Sequence, residues 1–132
     1  MKKNSALILI TVVSLLASCA PDNETTTSDD RDKFVGTWLC TDSSYTDNSK
    51  ITYSVSVEKS GDGNTVHINN FYKLGASTYV TAEVSGNSIV IPSQTDDDYT
   101  MSGSGYYSKE KFSLTYSAQI GSSIDNCYAV YE

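Results

Sequence analysis

The chain is poor in the residues that most enzymatic and metal chemistry draws on. Of 132 residues, one is histidine, three are cysteine, two are proline and one is tryptophan. A lone His67 with cysteines at 19, 40 and 127 offers no zinc-ligand spacing. Nine basic residues stand against 16 acidic ones, a formal charge of −7. An acidic chain repels a phosphate backbone, so nucleic acid is excluded as a partner. No glycine-rich phosphate loop and no nucleophile-elbow motif is present. The longest apolar stretch, Ala6 to Ala17, has 12 residues. As a helix it spans about 18 Å, against roughly 30 Å of hydrocarbon core.

What the chain does have is ordered from the N-terminus. Lys2 and Lys3 precede the apolar stretch, and Leu16-Ala17-Ser18-Cys19 follows it. This is the layout of an export signal over residues 1–18, not of a permanent span. The last four residues resemble the lipobox of bacterial lipoproteins. The resemblance implies cleavage before Cys19, lipidation of its thiol and a membrane partner through that anchor. Loss of Lys2 and Lys3 leaves seven basic and 16 acidic residues, a charge of −9. Ala20 in place of Asp argues, by analogy with enteric lipoproteins, for the outer membrane. The acidic residues that follow resemble the surface-export signal of Bacteroidetes-type lipoproteins, so surface-exposed and periplasm-facing positions both stay open. Residues 20–33, APDNETTTSDDRDK, carry no large apolar side chain and read as a flexible tether of roughly 20 Å.

From residue 34 to 132 the chain reads as one small all-β domain. Ile51, Tyr53, Val55 and Val57 alternate with polar residues, as do Phe112, Leu114, Tyr116, Ala118 and Ile120. Weaker runs lie at 35–41, 65–72, 77–84, 88–92, 98–108 and 124–131, and Pro92 ends the fifth. Short breaks such as Ser85-Gly86-Asn87-Ser88 force antiparallel neighbours. Eight such strands make a meander, best closed as a barrel to remove its edges, with a β-sandwich as the alternative. With Cys19 taken by lipid, Cys40 and Cys127 fall on the first and last strands, which closure makes adjacent. A disulfide there would close an 88-residue loop, worth about 4–5 kcal/mol. The alternative is two free buried thiols.

Phe34-Val35-Gly36-Thr37-Trp38 opens the domain. A Gly-x-Trp at the first strand resembles the lipocalin or calycin pattern, and the small lipocalin-like lipoproteins of Bacteroidetes. The resemblance implies a barrel plugged at one end by Trp38 and a ligand in its lumen. The domain departs from that pattern in its short length and in lacking a second motif or an arginine near the last strand.

The candidate site residues follow from strand parity. Trp38, Tyr53, Phe112, Tyr116 and Tyr131 point inward, a candidate ligand pocket for a small amphipathic or apolar molecule. The domain holds 14 aromatic rings, enough to fill a small barrel instead. That competing expectation is a filled-barrel interaction protein, resembling a protease inhibitor or a structural surface lipoprotein, with a protein partner. Tyr106 and Tyr107, beside Gly103 and Gly105, are expected at a rim. His67 is expected on the solvent face of its strand. The triplet Asp96-Asp97-Asp98 has oxygen ligands for calcium but no EF-hand spacing, so a solvated loop is expected. Nothing pairs a nucleophile with a base, so no enzyme, cofactor or metal is expected.

Overall fold

The computed structural model describes residues 28–61 and 63–132. The signal, Cys19 and the tether up to residue 27 lie outside the described residues. Eight strands follow in order: β1 (Gly36–Ser44), β2 (Ser49–Lys59), β3 (Thr65–Asn69), β4 (Tyr79–Ser85), β5 (Ser88–Asp96), β6 (Tyr99–Ser108), β7 (Lys111–Ile120) and β8 (Ser123–Tyr131). Each pairs antiparallel with the next, and β1 pairs with β8, so the sheet closes as a barrel in meander order. Closure leaves no free sheet edge and excludes the sandwich.

Alternation in the sequence becomes alternation in burial. Along β2, Tyr53, Val55 and Val57 are buried while their neighbours are exposed. Along β7, Phe112, Leu114, Tyr116 and Ala118 are buried. Asp97-Asp98 and Lys109-Glu110 all have positive φ, the signature of two-residue hairpin turns that match the twist of the strands. The acidic triplet therefore ends β5 with Asp96 and forms the turn with Asp97 and Asp98. β5 does not end at Pro92. Its pairing with β6 shifts between Ile91 and Gln94, and that irregularity lets the strand continue past the missing donor.

The two ends of the barrel differ. At one end, residues 29–33, expected in the tether, fold against the sheet. Asp30–Lys33 form a 3-10 turn capped by the Asp29 side chain. Arg31 is buried, bonded to Asp29 and to the carbonyls of Gly61 and Thr65. Lys33 and Asp30 bond Gly86 in the β4–β5 turn. Phe34 is fully buried there, with Phe112 at 5.3 Å and Tyr107 at 5.5 Å. Trp38, half-buried, meets Phe112 at 5.1 Å and donates its indole N–H to the Phe34 carbonyl. The other end, here the mouth, is roofed by residues 70–78. That segment drops Phe71 into the core. Asn70 locks it by donating to the Ser54 carbonyl and accepting from the Gly75 N–H.

Cys40 and Cys127 are free buried thiols, which corrects the expected disulfide. Their strands are adjacent, but Cys40 sits opposite Tyr131 and Cys127 opposite Ser44. Four residues of stagger amount to about 13 Å along the strands, whereas a disulfide needs Cα atoms within about 7 Å.

Candidate functional site

The five rings expected to line one pocket all point inward, but they divide into two groups. Phe112 stacks on Tyr131 at 4.2 Å, between Trp38 and Phe34. That end of the lumen is filled with rings. Tyr53 and Tyr116 instead turn their hydroxyls to one carboxylate. Asp42 Oδ2 accepts from Tyr53 at 2.9 Å and, more closely, from Tyr116. None of the five lines the cavity described next, which corrects the expected pocket.

That cavity, of about 320 Å³, opens at the mouth. β1 supplies Asp42 and Ser44, and β2 supplies Ser49 and Ile51. β8 supplies Asp125 and Cys127, and the roof supplies Tyr72, Lys73 and Leu74. Tyr99 of β6 and Asp47 complete the wall. A second hollow of about 230 Å³ shares Asp47, Tyr72, Tyr99 and Asp125 with it. Larger grooves, of about 380 and 400 Å³, lie on the outer wall and in them the strand residues are mostly polar.

Asp42 is the unusual member. It is 4% exposed, and its Oδ1 has no hydrogen-bond partner among the described residues. Burial raises its carboxyl pKa, and the charge of Asp125 adds to that, while the bonds from Tyr116 and Tyr53 oppose it. Asp125 behaves differently. Burial acts to raise it, but bonds from Ser44 and Tyr72 outweigh that, and it stays below the ordinary carboxylate value. The two carboxylates thus hold different affinities for a proton within one cavity.

Tyr72 reaches Asp125 from a costly backbone. Asn70, Tyr72 and Lys73 all have positive φ, at 59°, 53° and 59°. For a bulky residue this region costs on the order of 1–3 kcal/mol. The conformation turns the Tyr72 ring over the mouth, 5.4 Å from Tyr99, with its hydroxyl 2.8 Å from Asp125.

The remaining candidates stand elsewhere. His67 lies half-buried on β3 and stacks on Tyr79 at 4.0 Å. Tyr106 is exposed and Tyr107 packs on Phe34 at the closed end. Among the described residues, no three His, Cys, Asp or Glu side chains gather as a metal site.

Sequence reasoning missed Asp42, Asp125, Tyr72 and Tyr99. A signal existed for the first two. Asp42 shares inward parity with Trp38 and Cys40, and Asp125 shares it with Cys127. A carboxylate on an inward position is the anomaly that marks a site. Tyr72 had no such signal, because its position depends on the roof. Comparison of the chain with protein-family models, with curated proteins and with solved structures finds no match.

Proposed function

We propose that this protein is a lipid-anchored, lipocalin-like lipoprotein that binds a small amphipathic molecule at the mouth of its barrel and performs no catalysis. The cavity of about 320 Å³ carries the reading. It lies in the range of small-molecule sites, which start at roughly 300 Å³. It joins apolar walls, Ile51 and Leu74, to tyrosine rings and a polar floor. The anchoring at Cys19 of an outer-membrane protein rests on the lipobox resemblance. The described chain enters at the Phe34 end, opposite the mouth. Whether that mouth faces the periplasm or the outside does not alter the binding reading.

A filled barrel that touches a protein partner is the second reading. The Trp38–Phe112–Tyr131 packing favours it, as do exposed Tyr45, Ile120 and Ile124 in the hairpins at the mouth. Native mass spectrometry of protein purified from its source separates the two. Ligand binding predicts an added small-molecule mass that is absent from Leu74→Trp, whose larger ring occupies the cavity. No mass beyond that of the lipidated polypeptide, in wild type and variant alike, would support the filled barrel.

A further inference from the structure

We infer that the molecule held at the mouth is an organic ammonium ion, anchored on the Asp42 carboxylate, with its carbon body against Tyr72 and Tyr99. This rests on reading the mouth as a ligand site, and it names the chemistry of the ligand.

The first observation is the orphaned acceptor. An ionised carboxylate has four lone-pair sites and no donor of its own. Two are taken at Oδ2 by Tyr53 and Tyr116, while Oδ1 stands unpartnered on a side chain 96% removed from solvent. Asp42 lines the cavity with Oδ1 covered, so a donor entering from the mouth reaches it once the carboxyl turns toward the cavity. A buried acceptor without a donor is unfavourable, and a ligand that supplies an N–H removes that penalty.

The second observation is charge. The cavity wall carries Asp42, Asp47 and Asp125 against Lys73. An anionic ligand would be repelled, and a cation is drawn in. Asp125 is already engaged by Ser44 and Tyr72, which leaves Asp42 as the open contact.

The third is shape. Tyr72 and Tyr99 stand 5.4 Å apart at 62°, two walls of an aromatic corner. Their ring faces attract a cation and cover its carbon body. A bare metal ion fits less well. It needs several convergent oxygen ligands, and among the described residues no group of three acidic or metal-binding side chains forms.

Three probes of one shape test this by calorimetry on the full-length protein: 2-phenylethylammonium, 2-phenylethanol and 3-phenylpropionate. The ammonium should bind at least tenfold more tightly than the alcohol, and the carboxylate should not bind. Asp42→Asn, whose amide carbonyl still accepts from both phenols, should abolish the preference and leave the alcohol within about twofold. Equal binding of ammonium and alcohol by the wild type overturns the ammonium assignment and leaves the ligand-binding reading intact. So does a co-purifying molecule without a basic nitrogen. If no probe binds and nothing co-purifies, both readings fall. Should Asp42→Asn not fold, as judged by circular dichroism, the wild-type comparison still decides.

Discussion

Asp42 combines a cost with a use. Its carboxyl is buried among Tyr53, Tyr116 and Asp125, and burial raises its pKa. In the interval between its ordinary value near 3.8 and the raised one, the folded protein holds a proton that the unfolded chain has lost. Stability from this group therefore falls as pH rises through that window. Asp42→Asn removes the titration. Urea unfolding should show the variant gaining on the wild type as pH rises above the ordinary carboxylate range through the raised Asp42 value. A wild type that loses nothing relative to the variant over that range would show that the phenol hydrogen bonds fully compensate the burial. Asp125 acts in the opposite sense, because its lowered carboxyl favours the folded state as pH rises. The strained Tyr72 belongs with Asp42, since both are arrangements the barrel itself does not need.

At the scale of elements, β6 and β7 set the width of the lumen. Gly103 and Gly105 lie opposite Tyr116 and Leu114, on the inward parity of β6. A Cβ at Gly105 would lie 1.8 Å from the Ser113 carbonyl oxygen, and one at Gly103 would lie 2.5 Å from the Tyr116 Cβ. The missing side chains let β7 approach and bring the Tyr116 hydroxyl to Asp42. Gly105→Ala forces the two backbones apart. It should lower stability by about 1–3 kcal/mol in denaturant unfolding, whereas Gly86→Ala, which meets nothing within 4 Å, costs only its strained φ. The N-terminal clasp works at the same scale. Asp29 holds Arg31, whose guanidinium keeps the Asp29 carboxyl below the usual range, and Arg31 in turn ties the chain to Gly61 and Thr65. The closed end is thus bolted while the mouth is roofed by a single segment.

For the whole molecule, cohesion comes from closure and a filled lower lumen, without a covalent staple. Cys40 and Cys127 are both buried, and burial pushes their thiols up to about 11 and about 12. They should resist alkylation at neutral pH in the folded protein and both react in guanidinium. A reducing agent should leave the thermal midpoint unchanged. A drop of several degrees on reduction would instead reveal the disulfide that the strand register disallows.

Strand alternation and turn chemistry determined the architecture from the sequence alone. Period-two patterning in β2 and β7 and short polar connections allow few outcomes besides an antiparallel meander, and edge removal selects the closed one. Parity likewise placed Trp38, Tyr53, Phe112, Tyr116 and Tyr131 inside, because a side chain's face is a local property of the strand. Parity says nothing about height along the barrel axis. Tertiary structure alone decided that β1 and β8 meet with Cys40 opposite Tyr131, which separates the two cysteines. It also decided that Phe34 joins Trp38 and Phe112 in filling one end, and that residues 70–78 fold over the other end and turn Tyr72 toward Asp125. Register and loop docking depend on pairings across the whole chain, and no local pattern encodes them.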